Sequence, residues 1–212
     1  MANKLTPQVF MKALDFAYEK AISGLPGTDT AEDLAKSYLK QEGTLSEKVN
    51  SLIRWQNAKA GSSGFITGLG GFATLPVAIP ANLMSVLYFQ VRMIAAIAMM
   101  GGYDVRDDRV KSLVYACLAG NMAKDILQEI GINIGTRLTA QMIGRISEST
   151  LVAINRKVGF LLLSKTGSHG AINLGKAIPL AGGIISGSID VYATNLIGNI
   201  ARNTFIGKET NP

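Results

Sequence analysis

Between Lys59 and Arg92 the chain carries no charged side chain: Ala60 to Val91 is an unbroken run of 32 uncharged residues. By length alone such a run could cross a bilayer. Its composition argues otherwise. Gly61, Gly64, Gly68, Gly70, Gly71, Pro76 and Pro80 interrupt its first part, and the apolar stretch Leu83 to Met100 holds Gln90 and Arg92 near its centre. An arginine at mid-bilayer costs roughly 2.5 to 3.5 kcal/mol even on a lenient insertion scale. Each proline removes a backbone donor and disfavours helix just before it. The expected form is therefore two closely packed apolar helices, joined or kinked between Thr74 and Pro80, rather than a conventional span.

The flanking sequence is helical by its start and stop signals. Thr6 with Pro7 opens a helix that Gly24 and Pro26 close. Thr30 with Asp33, and Thr44 with Glu47, have the capping-box spacing and place helices near 30–41 and 45–60, with Gly43 between them. In the second of these, Leu45, Val49, Leu52, Ile53 and Gln56 follow the helical period. Trp55 is read as a core residue, with an interfacial anchor as the alternative. Asp104, Asp107 and Asp108 stand where a further helix begins, complementing its positive end, and their spacing is not that of a calcium loop. Leu113, Ala116, Cys117 and Gly120 continue that helix, and Ile126, Leu127 and Ile130 supply another turn or two. Leu138, Met142, Ile146, Leu151, Ile154, Val158 and Leu161 predict one long helix, or two collinear ones, up to Lys165, followed by a loop over 166–170. No convincing period-two segment occurs. The fold class is all-α: one compact multi-helix bundle over residues 1–212, with amphipathic helices at 6–60, a core at 61–206 and a short tail at 207–212.

The composition is 48% hydrophobic and 17% charged, which leaves apolar surface beyond what one modest core requires. Lys12, Asp15, Glu19 and Lys20 interrupt the first helix, so it is no secretory signal, and a cytoplasmic protein is expected. One cysteine, Cys117, and one histidine, His169, leave no internal disulfide and no ordinary zinc site within the chain. Cys117 reads as buried packing and His169 as a solvated loop residue. The net charge of +6 lies mainly in the C-terminal part, where Arg137, Arg145, Arg156, Lys157 and Lys165 are interleaved with Ile, Leu and Val. A nucleic-acid surface would show clustered bases with exposed aromatics, so that partner is disfavoured. An anionic lipid surface fits better, since each nearby basic group contributes about 1 kcal/mol.

Two nucleotide-like motifs fail on context. Gly68 to Ala73 matches G-x-G-x-x-A, but no strand precedes it and no acid follows at about twenty residues. Gly159 to Thr166 approaches a phosphate loop, but Ser164 replaces the second glycine and the intervening Phe160 to Leu163 is apolar and helix-like. No cofactor or metal is expected.

The most informative pattern is a stripe of small residues. Gly183, Gly187, Asp190, Thr194, Gly198 and Ala201 recur at intervals of four, three, four, four and three, and so share one narrow helical face. Gly64, Gly68 and Gly71 form a shorter stripe. Small residues let another backbone approach closely, within membranes and in soluble bundles alike. Arg92 and Asp190 are the two charges in apolar segments that need partners, and with Thr194 they form a candidate buried polar centre. The expectation is that their helices pack side by side, with the stripe facing inward and the two charges paired or lining a polar cavity. Were the protein an enzyme, this centre would be the place for it.

At these residues the chain resembles the EcsC family of bacterial proteins. One block runs from Thr67 to Gly71 through Leu75-Pro76, Gln90 to Ala98 and Gly102-Tyr103-Asp104. A second runs from Lys176 to Gly183 through Gly187, Asp190, Thr194, Ile197-Gly198, Ala201-Arg202 and Phe205. The family is named for association with an ABC-transporter operon, and the resemblance implies a bacterial protein, cytoplasmic or peripheral on the inner face of the membrane, with no cofactor and no catalytic residue to carry over. The expected role is a non-catalytic helical protein that assists or regulates a membrane partner such as a transporter. The alternative is a soluble carrier holding a lipid or other apolar ligand between glycine-lined helices. The sequence sets no oligomeric state.

Overall fold

A computed structural model describes residues 6–61, 81–134, 136–166 and 187–207, without the side chains of 59–61, 81–82, 165–166 and 187–191. The described residues are all-α: α1 (Pro7–Ser23), α2 (Ala31–Leu39), α3 (Leu45–Gly61), α4 (Ala81–Met100), α5 (Asp108–Leu118), α6 (Ala123–Glu129), α7 (Ala140–Gly144), α8 (Glu148–Thr166) and α9 (Gly187–Phe205). The only extended pairing among them is an isolated bridge between Leu25 and Thr28. Gly64, Gly68, Gly71, Gly183, His169 and the kink expected between Thr74 and Pro80 lie outside the described residues.

The N-terminal caps form as their spacing requires. The Thr6 hydroxyl accepts the Val9 amide at 3.2 Å and Pro7 occupies the first turn. Thr30 and Asp33 complete a reciprocal capping box, and Thr44 and Glu47 exchange the same two bonds at 2.8 and 3.3 Å. Asp107 caps α5 by accepting the Arg109 amide, while Asp104 accepts that of Arg106, so these acids serve the helix start.

The charge surplus and the apolar surplus are separated by burying one helix. Leu83–Met100 is the one window among the described residues long and apolar enough to cross a membrane, and most of it lies inside the protein. Leu87, Tyr88, Val91, Ile94 and Ile97 are fully buried. Helices α1, α2, α3, α5 and α9 all pack on α4. A helix that is apolar all round is stable in water only when so wrapped.

Helix α9 runs antiparallel to α3, since Asn50 meets Arg202, Ile53 meets Gly198 and Asn57 meets Asn195. The described part of the small-residue stripe faces inward, with Thr194, Ala201 and, one turn on, Phe205 buried. A Cβ at Gly198 would stand 2.8 and 2.9 Å from two Ile53 side-chain carbons. Gly198→Ala should therefore cost about 1 to 3 kcal/mol in urea unfolding, as overpacked core sites do. Adding Ile53→Val should return part of that loss.

One expectation is narrowed and two need correction. Of the one helix or two expected from Leu138 to Lys165, two form, because Thr139 caps α7 by accepting the Met142 amide and Ser147 accepts the Thr150 amide to start α8. Both are ordinary N-cap residues that the run of periodic apolar positions conceals. Helix α5 stops at Leu118, and a 3₁₀ turn at Gly120–Met122, where Gly120 has φ of 65°, leads into α6. Trp55 is not core: it is 52% exposed. Val49, Leu52, Ile53 and Gln56 occupy the inward arc of α3, and Trp55 falls about 110° from its middle at 100° per residue.

Candidate functional site

Arg92 is the one charged side chain buried in the described core, at 2% exposure. Its Nη1 donates to the Asp29 carbonyl at 2.8 Å, in the linker between α1 and α2. Its guanidinium carbon lies 5.4 Å from the ring centre of Tyr88 and 4.9 Å from that of Phe89, one turn earlier on α4. The same linker is fixed a second time. Thr28 gives its hydroxyl proton to the Leu25 carbonyl at 3.0 Å, so Tyr88 is the donor in its 2.7 Å bond to Thr28. Gly24 and Gly27, with φ of 91° and 77°, supply the reversals the linker needs. Burial holds the guanidinium pKa below its ordinary value, with Tyr88 and the Asp29 carboxylate opposing part of that shift. Its Nε has no hydrogen-bond partner among the described residues. The cluster clamps the α1–α2 linker onto the central helix.

The helices bearing Arg92 and Asp190 do pack against each other. Just past the end of α4, a Cβ on Gly101 would meet the Phe205 carbonyl of α9 at 2.8 Å. Thr194 is buried on α9, whereas the side chain of Asp190 lies outside the described residues. The described hydrogen bond of Arg92 goes to Asp29. Sequence reading missed this partner, although the Tyr88-Phe89 pair at i−4 and i−3 from Arg92 had the spacing of a ring-to-cation contact.

A second polar cluster joins α1 to α5. The Asp15 carboxylate accepts the Tyr115 hydroxyl at 2.9 Å and pairs with Lys111 at 2.7 Å. Tyr18 donates to the Val105 carbonyl at 2.6 Å and meets the Tyr115 ring edge to face at 5.7 Å. Burial first, then Asp104 and Asp108, push the Tyr18 phenol far above its ordinary value; burial and Asp15 do the same to Tyr115. Neither phenol exchanges protons near neutrality, so the cluster is packing with satisfied polar groups. Burial likewise raises the Cys117 thiol to about 12, with Thr204 as its 3.9 Å partner. Cys117 should stay unalkylated by a thiol reagent in native buffer and react at once in denaturant, as intact-mass measurement will report.

The basic residues divide between two open grooves. Arg137, which donates to the Gly101 carbonyl at 3.3 Å, lines a groove of about 600 Å³ with Tyr103, Asp104, Asp107, Thr139 and Gly144. Arg145, exposed, follows Gly144 directly. Arg156 and Lys157 line another, of about 660 Å³, with Pro7, Gln8, Val152 and Phe160. The first groove carries carboxylates beside its cation; the lining of the second has none. Lys157 pairs with Glu129 at its edge, and the side chain of Lys165 lies outside the described residues.

These features define an all-α protein built round a wrapped apolar helix, with structural polar clusters inside and an apolar, basic face outside. The chain belongs to the EcsC protein family, whose model matches residues 2–206, nearly its whole length. No curated protein and no solved structure matches it.

Proposed function

We propose that this EcsC-family protein is a non-catalytic helical protein that sits on the inner face of the cytoplasmic membrane and assists or regulates a membrane partner such as a transporter. One observation carries this reading. The helix apolar enough to span is enclosed by five others, while Val152, Phe160 and Tyr192, each more than 60% exposed, stand on the surface of a chain with net charge +6. Bulky apolar side chains in water beside cations suit the headgroup region of an anionic bilayer, where rings and aliphatic groups leave water and bases meet phosphate. Attachment of this kind is peripheral and salt-sensitive.

Sedimentation with vesicles tests it. The protein should pellet with vesicles containing phosphatidylglycerol, far less with phosphatidylcholine alone, and return to the supernatant as salt rises. Protein that stays in the supernatant with both lipids at low salt contradicts the proposal.

A further inference from the structure

The outer side of α8 differs from the other helix faces in what it leaves in water. Val152 is 66% and Phe160 63% exposed, and Arg156 lies between them at i+4 from one and i−4 from the other. At 100° and 1.5 Å per residue the two apolar groups are about 80° and about 12 Å apart, so all three share one strip along the helix. Ser149 and Ala153 are exposed beside them, and after Glu148 the helix sequence has no acid. Arg156 forms no ion pair among the described residues, where Lys157 is held by Glu129.

The strip has a wall. A Cβ at Gly159 would come within 2.9 Å of Met11 and 3.4 Å of the Pro7 carbonyl, so α8 lies against the first turns of α1. Pro7 and Gln8 close the groove on that side, its lining holds no acid, and Lys12 is exposed one turn further along α1. The opposite face of α8 is committed to the core through Ile154, Val158 and Leu162.

From this we infer that the outer strip of α8, with the first turn of α1, is the surface that seats on anionic phospholipid headgroups; the inference rests on the peripheral-membrane reading above. Arg156 meets the headgroup phosphate, and Val152 and Phe160 enter the boundary between headgroups and acyl chains with the helix lying parallel to the surface. Charge decides the occupant. A second copy seated through a two-fold axis on this strip would bring Arg156 against its own counterpart, which repels. Lipid phosphate complements it.

The experiment measures binding of the full chain to phosphatidylcholine vesicles with and without phosphatidylglycerol, for wild type, Arg156→Glu, Phe160→Ser and, as a distant control, Lys36→Gln. All these side chains are exposed, and thermal melting confirms that each variant folds. Arg156→Glu should bind the anionic vesicles roughly thirtyfold more weakly, the equivalent of about 2 kcal/mol for two units of charge. Phe160→Ser should lose about tenfold through lost apolar insertion, and Lys36→Gln should match wild type. If wild type binds and the α8 variants bind equally well, this surface is the wrong one while the membrane reading stands. If wild type binds neither vesicle, both fall. A lipid-free dimer or partner-protein complex that Phe160→Ser dissolves, with vesicle binding unchanged, overturns the inference in favour of a protein interface.

Discussion

Arg92→Ala should destabilise the protein by about 3 kcal/mol, combining a lost hydrogen bond to a charged donor, two ring contacts and the void left in the core. The Asp29 carbonyl would lose its 2.8 Å donor, and the linker 24–30 would still hold α4 through the Tyr88–Thr28 bond. Arg92→Met should recover about half of that loss, because an apolar chain of similar length refills the space and brings no charge to desolvate. Arg92→Lys should do less well than its retained charge suggests, since an ammonium lacks the planar, weakly hydrated guanidinium that sits over the Tyr88 and Phe89 rings. Urea melts of the three variants give the order directly. An alanine variant within 1 kcal/mol of wild type would show that Arg92 does not hold the linker.

Phe205→Ala should cost more, about 3 to 5 kcal/mol, the usual range for a fully buried phenylalanine. Phe205 ends α9 with no exposed surface, its ring 5.4 Å from that of Tyr103 and its carbonyl against Gly101. It fills the corner where α4 turns toward α5 and where the seam of α9 closes. Gly101→Ala attacks the same corner from the other side, because its Cβ would stand 2.8 Å from both the Phe205 carbonyl and the Tyr103 ring. Backbone on one side gives this contact little room to relax. The two substitutions share partners, so their costs should not add, and a double-mutant cycle will measure the coupling.

What the sequence disclosed depended on whether the signal was local. The caps at Thr6, Thr30, Thr44 and Asp107 are decided within four residues, and each forms as its spacing requires. The starts at Thr139 and Ser147 are equally local but lie under a continuous apolar period, which by itself leaves one helix or two open. Trp55 is harder to place for a different reason: its hydrophobicity argues for the core, and its angle round α3 puts it outside. The candidate site was legible in part. Arg92 could be singled out because a lone charge in an apolar helix needs a partner, but the partner among the described residues is a backbone carbonyl in a linker 63 residues away, which no side-chain pattern encodes; the Asp190 side chain lies outside them. The cations of the C-terminal part were visible as a set; their separation into one groove with carboxylates and one without followed only from how α7 and α8 lie against the rest.

The central claim is attachment at a membrane surface by a protein whose apolar helix is kept inside. Fractionation of bacterial cells expressing the intact chain tests this most directly, with membranes washed in low salt, high salt and alkaline carbonate. The account predicts recovery with membranes at low salt and release by high salt or carbonate, because the proposed attachment rests on electrostatic contacts that salt screens. Retention through the carbonate wash would mean that a segment spans the bilayer, and recovery wholly in the soluble fraction at low salt would mean that the membrane is not its partner.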